Sequence, residues 1–412
     1  MRMRPFGRLI PLETARRRVL AAARPVRGAE SVALDQLLGR VASESVRAPR
    51  PVPEFARASW DGFALRAADT RSARDDRPVV LRVVGEVYAE GRFSRRLARG
   101  EAVAIATGGA LPTGTDAVLI FENAAERDGT ITARRPVAVG ERVAAPGDDF
   151  PRGTLLVREG AVFDPAAIGA VGATGRAFVC VRRRPVVTLI PNGNELLAPG
   201  AAPRRGAVYE INNLTLGALA TSAGAVVRSS TPIADDERRI EGALRRALRV
   251  SDVVVVTGGS SVGEHDFLPS IFPRIGRLLF HGVAVRPGKP TLAAVARGKL
   301  LLGMPGHPTS CLSNGFWLLV PVLRRLSGLP GPGWVDDAAL LAAPVLAPSP
   351  SLTTVVPLHV ALGRATPTFR DSSAITSLAG ANAFALLPPG ASRPRVGAQL
   401  PLHRLLPPIA PY

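Results

Sequence analysis

Lysine is almost absent from the chain. Lys289 and Lys299 are the only two, and arginine supplies the rest of the 52 basic residues, set against 33 acids for a net charge of +19. A charge of that size invites a nucleic-acid reading. The arginines are scattered, however, and aromatic residues make up only 5%, so neither a selected basic patch nor a base-stacking platform emerges. The bias, alongside abundant alanine, fits genome-wide base composition, and the charge supports attraction for small polyanions. Cysteine is equally scarce. Cys180 and Cys311 are the only two, which excludes a disulfide framework or a cysteine-rich zinc site and fits a reducing compartment. No apolar run approaches the ~20 residues of a membrane span, and the basic start carries too short an apolar stretch for a secretory signal. The expectation is a cytoplasmic protein, with neither membrane nor nucleic acid as partner.

What is present is enough apolar material, 46% over 412 residues, for about three domains with their own cores. Gly 41 and Pro 38 without a period imply many turns rather than a fibre. The most informative stretch runs from Asp252 to Asp266. Val253 to Val256 have no polar face, as in a strand covered on both sides. Thr257, Gly258, Gly259, Ser260, Ser261 and Gly263 follow, and their glycines let the backbone turn with positive φ and approach a ligand closely. Exposed N–H groups and hydroxyls there suit a phosphate. Glu264 and Asp266 add carboxylates, which makes sense beside an anion if a hard cation bridges them. An ordinary strand-to-loop exit is the plain reading of a Gly-Gly pair alone; the hydroxyls and acids bring the two readings level.

Along the chain, residues 12–23 have helical spacing of apolar positions and Leu34 to Val41 suggests a second helix closed by Gly39. The proline-rich segment 47–54 is a connector. Asp61-Gly62 is a turn signal, with a plain hairpin as its simplest reading. Residues 78–146 alternate short Val/Ile runs with turns, a small β-rich domain in which Thr107, Gly108 and Gly109 follow a strand. From Pro185 strands and helices alternate: strand 186–190, helix 211–223, strand 225–228, a helix capped around Asp235 and Asp236, then strand 252–256. This predicts a parallel sheet with helices on both faces. Ligands of such sheets bind at the carboxyl ends of the strands. Glu195, Asp235 and Asp266 all fall near those ends, although each taken alone is an unremarkable cap or surface group. Arg286-Pro287-Gly288-Lys289-Pro290 sets two cations between prolines, and Pro305-Gly306 opens a turn into a helix at Pro308. After residue 333 the chain returns to β-like runs with no evident chemistry.

These motifs together resemble the molybdopterin molybdenumtransferases, or molybdenum insertases, over nearly the whole chain. The resemblance rests on Ser59-Trp-Asp-Gly-Phe-Ala64, the Thr107–Val118 stretch, Asn192-Gly-Asn-Glu-Leu196, Gly258 to Asp266, Arg286 to Pro290 and Gly303 to Pro308, six motifs in order at matching intervals. It implies an α/β multi-domain homodimer with a molybdopterin-adenylyltransferase-like parallel-sheet domain. The implied boundaries are a split N-terminal dimerisation domain (1–50 and 147–183), a β-rich insertion (51–146), the pterin-binding domain (184–331) and a C-terminal β domain (332–412). It implies insertion of molybdate into adenylylated molybdopterin with Mg²⁺-dependent release of AMP. Asp61, Thr107, Asp149 and Glu195 become catalytic candidates, with Asp61 and Thr107 on the facing domain of the second subunit near molybdate. Glu195, Asp235 and Asp266 become the magnesium set. Asn212, the Gly258–Gly263 loop, Arg286 to Lys289, Pro305 and Gly306 become substrate-binding. Molybdopterin adenylyltransferase and molybdoenzyme chaperones are the partners it admits.

The chain departs from the family pattern at several points. Gly282 and Arg286 each stand where lysine is common, His307 where Asn is, Trp60 where Met is, Pro146 where Arg is and Asn192 where Thr is usual. Two other readings stay open. A molybdopterin adenylyltransferase shares the Gly-Gly loop but needs only a domain like 184–331, and a non-catalytic molybdopterin-binding paralogue is favoured by Gly282.

Overall fold

A computed structural model describes residues 8–260 and 266–406. The chain divides into two units: Glu44–Glu159 with Pro165–Phe178, and the remainder, from Met1–Ser43, Gly160–Asp164 and Val179–Tyr412. Among the described residues no helix is long and apolar enough to cross a membrane.

The first of these units is built on a six-stranded sheet, in the order Ala117–Ile120, Gly62–Leu65, Glu101–Ile105, Val79–Val87, Thr130–Ala133, Ala124–Arg127. Both faces are covered. Phe63 and Leu65 enter one apolar cluster and Ala64 the other, as strand alternation requires. The hairpin expected at Asp61-Gly62 is not there. Gly62 instead begins a strand paired on both sides, and a Cβ on it would lie 2.2 Å from the Leu119 carbonyl oxygen. The glycine permits close approach of two backbones rather than a turn.

The second unit holds the α/β sheet, ordered Val226–Ser229, Val186–Pro191, Val253–Thr257, Lys299–Met304, Leu292–Ala296, Arg277–His281. The first four strands are parallel. Leu292–Ala296 runs antiparallel to both of its neighbours, so the sheet is mixed where the sequence predicted a parallel one. Arg297 and Gly298 explain the difference: both have positive φ, 53° and 75°, and make a two-residue hairpin turn of the kind that matches strand twist.

The four valines are fully buried and alternate between the two sides of the sheet. Val253 and Val255 join one core cluster, Val254 and Val256 the other. Burying each contributes about 1.5–3 kcal/mol. Helices Leu12–Ala22, Asn212–Ser222 and Val320–Ser327 cover the first face, and Glu237–Val250 with Leu268–Ile275 the second. Helix Glu237–Val250 is capped by Asp236, whose carboxylate accepts the Arg239 N–H. The helix expected at Leu34–Val41 is reduced to a single 3-10 turn, Leu34–Gln36, because Gly39 adopts φ 72° too soon. The C-terminal strands close into a small barrel, in which Thr353–Ala361 pairs with both Arg364–Pro367 and Ala383–Leu387. Its Trp334, Val355 and Phe384 share the core of the α/β sheet.

The base of strand Val186–Pro191 is tied down by Asp252, which accepts both Arg183 Nη groups and the Val186 N–H, each at 2.8 Å. Burial alone would raise the Asp252 carboxyl, but the Arg183 guanidinium and the Val186 N–H outweigh it and leave the group below the usual carboxylate range. A depressed acid stabilises the fold above its unfolded pKa, near 4, and that contribution fades as pH falls through the folded value. Asp252→Asn is expected to cost about 1–2 kcal/mol at pH 7, since the pair is partly solvated. The gap from wild type should narrow below about pH 4 in denaturant titrations; a pH-independent gap would contradict the ion pair.

Candidate functional site

Three parallel strands deliver their carboxyl ends side by side, with Pro191 opposite Thr257 and Thr257 opposite Met304. The chain leaves each end as a turn. Asn192 N–H donates to the Thr257 carbonyl at 2.9 Å and Gly258 N–H to the Met304 carbonyl at 3.1 Å, so the three exits are laced together. Ser260 Oγ adds a bond to the Met304 carbonyl at 3.1 Å. Gly258 and Gly259 have φ 87° and 61°, and a Cβ on Gly258 would sit 2.4 Å from the Asn192 carbonyl oxygen. Only glycine fits that turn.

The exits surround a cavity of about 370 Å³ whose walls include Glu195, Asp235, Gly258, Gly259, Ser260 and Asp266. Three acids that are remote in sequence therefore face one space. Asp235 is held from two sides: Oδ1 accepts Asn192 Nδ2–H at 2.8 Å and Oδ2 accepts the Asn194 N–H at 3.3 Å. Glu195 folds back over Gly193, where an added Cβ would lie 2.6 Å from Oε2. A second cavity of about 420 Å³ shares Asn192, Glu195, Gly258, Gly306 and His307 and extends toward Tyr209, Glu210 and Asn212. Asn212 Nδ2–H donates to the Gly306 carbonyl at 2.8 Å, joining the helix start to the Pro-Gly turn. Pro305 and Gly306 line the first cavity with Pro290. Arg286 starts elsewhere than expected, on a strand paired with Thr353–Ala361 of the barrel. Pro287 and Gly288 behind it are buried, while Arg286 and Lys289 are exposed. Ser261, Gly263 and Glu264 lie outside the described residues.

In the other unit Asp61 Oδ1 accepts both the Thr107 N–H, at 2.6 Å, and Thr107 Oγ–H, at 2.8 Å. These bonds, the backbone one foremost, hold the exposed Asp61 carboxyl below its usual range. Asp149 takes no part in that pair; it stands on its own exposed turn, its N–H bonded to the Val52 carbonyl at 3.1 Å.

Several neighbours of the cavities have no local sequence signature. His281 is half-buried, and burial pushes its imidazole below the usual range against the opposing pull of the Ser260 backbone and Asp266. Ser373, from the C-terminal part of the chain, lines the second cavity, and Ser372 Oγ lies 3.4 Å from His307 Nδ1. Thr309 N–H fastens that segment through the Ser372 carbonyl at 3.1 Å. Cys311, close by, is fully buried, which pushes its thiol far above the ordinary range.

Family models match the three parts of this arrangement: a MoeA N-terminal region (domain I and II) over residues 10–175, a probable molybdopterin binding domain over 188–325, and a MoeA C-terminal region (domain IV) over 342–405. The chain belongs to the MoeA family. It is 35% identical over 391 residues to a molybdopterin molybdenumtransferase of Bacillus subtilis, covering 92% of this chain and 90% of that protein. A protein of the same name from Staphylococcus aureus is 33% identical over 300 residues, 72% of this chain and 71% of the relative. Among solved structures, a MoeA molybdopterin biosynthesis protein from Pyrococcus horikoshii superposes with a TM-score of 0.83 at 34% identity, covering 96% of this chain and 99% of that one. The probable molybdopterin binding domain covers the three parallel strands whose carboxyl ends open on this cleft.

Gly258→Ala should cost about 1–3 kcal/mol in denaturant unfolding. Gly306→Ala should be near neutral, because a Cβ there meets nothing closer than Gly258 Cα at 3.8 Å. Equal stability of the two variants would contradict the close approach of Gly258 to Asn192.

Proposed function

We propose that the chain is a molybdopterin molybdenumtransferase, inserting molybdate into the dithiolene of adenylylated molybdopterin with magnesium-dependent release of AMP. The observation that supports this most is the convergence of Glu195, Asp235 and Asp266 with the Gly258-Gly259 turn on one cavity, in a chain whose relatives carry that name. A nucleotide-linked pterin brings phosphates, and a glycine turn at strand ends lets phosphate oxygens approach backbone closely. The same proposal takes the protein to be a cytoplasmic homodimer, supplied by a molybdopterin adenylyltransferase and unloading to molybdoenzyme chaperones.

The donor set suits magnesium, which takes hard oxygen ligands. Among the described residues no three His, Cys, Asp or Glu side chains close into a ligand cluster by themselves. That fits an ion held by one or two carboxylates and completed by substrate phosphates and water. One or two of Glu195, Asp235 and Asp266 would hold it, and when bound it would neutralise the diphosphate and improve AMP as a leaving group. The protein's own part is positioning. Asn192 and Asn194 fix the orientation of Asp235 before any ligand arrives. Thr107 occupies Asp61 Oδ1, which leaves Oδ2 to orient a substrate group while sulfur displaces oxygen on molybdate.

A non-catalytic molybdopterin-binding paralogue is the second reading, and Gly282 favours it. Its φ is 95°, a conformation lysine adopts only under strain, so the missing cation is built into the loop backbone.

Purified protein given adenylylated molybdopterin, Mg²⁺ and molybdate is expected to release AMP and yield metal-loaded cofactor. Tight binding without AMP release would select the paralogue, and transfer of AMP from ATP to the pterin would select an adenylyltransferase. Asp61→Ala should leave cofactor affinity unchanged and lower insertion by about two orders of magnitude; unaltered insertion would remove Asp61 from the site.

A further inference from the structure

Opposite the cleft, before strand Val186–Pro191 begins, lies a small cavity of about 20 Å³ bordered by Arg40, Arg182, Arg183, Arg184, Thr221 and Ser327. Two of the four arginines are spent. Arg40 is bonded to Glu30 and to the Arg182 carbonyl, and Arg183 to Asp252 and the Arg27 carbonyl. Among the described residues the guanidinium groups of Arg182 and Arg184 have no acceptor. Arg184 is half-buried, and first burial and then the nearby Arg40 charge weaken its hold on its proton, with only Glu30 opposing. Ser327 Oγ is buried with no hydrogen-bond partner. Thr221 and Ser327 stand at the carboxyl ends of helices Asn212–Ser222 and Val320–Ser327. Those ends contribute about half a negative charge each, so with Glu30 and Asp252 the four arginines still leave an excess of about one positive charge.

We propose that this cavity binds a tetrahedral oxyanion, with one oxygen seated between Arg182, Arg184 and Ser327 and the others turned to the rim. Room for about one water-sized atom admits a single oxygen and not a larger group, and planar guanidinium groups favour oxyanions over spherical ions. The site is separate from the cleft. Strand Val186–Pro191 spans the distance between them, six residues at about 3.3 Å each. A bound oxyanion would tie segment 182–184 to the ends of two helices and replace a like-charge cluster with a closed network. Phosphate, sulfate and molybdate share this chemistry.

The full-length protein is to be titrated calorimetrically with phosphate, sulfate and molybdate at constant chloride, alongside R182Q/R184Q and Ser327→Ala. Saturable binding is expected in wild type, weakened roughly tenfold or more in R182Q/R184Q and less in Ser327→Ala. An oxyanion that also enters the cleft would keep that second event in both variants. Unchanged affinities in R182Q/R184Q, with its fold confirmed by circular dichroism, would overturn the proposal. So would saturation by chloride alone at matched ionic strength. A stronger signal with molybdate than with phosphate would point to a holding site for the metal substrate, and equal signals to a general phosphate site.

Discussion

Register between three buried strands is the constraint from which the rest follows. Pro191, Thr257 and Met304 stand abreast because the strand of four valines between them is buried on both faces. A slip of one residue would exchange its two sets of side chains between two different cores. With the register fixed, the chain must turn three times within one small region. Each turn exposes backbone where the sheet no longer covers it. A cavity lined by acids and glycines is the consequence of that geometry before any chemistry is assigned to it.

The acids are arranged before ligand binding. Asp235 receives an amide side chain and a backbone N–H, and Asp61 receives two donors from one threonine. Donors of this kind remove rotamer freedom, and at Asp61 they also favour the ionised form. Each carboxylate held in this way need not reorganise around an incoming charge. At the opposite end of the same sheet the balance is reversed, with guanidinium groups outnumbering their acceptors around the cavity bordered by Ser327. The sheet therefore separates an acid-lined end from an arginine-lined one.

Much of this is legible in the chain itself, for physical reasons that differ from element to element. The valine run announces a doubly buried strand, and the helix at Glu237–Val250 follows from its cap and apolar spacing. The acids near strand ends could be grouped because the topology of such sheets is predictable. Other features depend on contacts that no local pattern encodes. Gly62 reads as a turn residue until its neighbour is known to be the Leu119 carbonyl. The one reversed strand of the sheet, Leu292–Ala296, hinges on the two residues Arg297 and Gly298, a turn signal easily lost within an α/β rhythm. Ser373 reaches the second cavity and His281 comes beside Ser260 and Asp266 through tertiary packing alone, and Arg286 joins the barrel because its strand pairs more than sixty residues downstream.

The proposed chemistry requires the acids at the strand ends to hold a divalent cation on a diphosphate. Its most direct test is a crystal grown with Mn²⁺ and ADP, examined by anomalous scattering at the manganese edge. One strong peak is expected within about 2–2.6 Å of a carboxylate oxygen of Glu195, Asp235 or Asp266 and of a phosphate oxygen, beside the Gly258-Gly259 turn. Nucleotide bound there with no metal peak, or manganese bound away from all three acids, would contradict it.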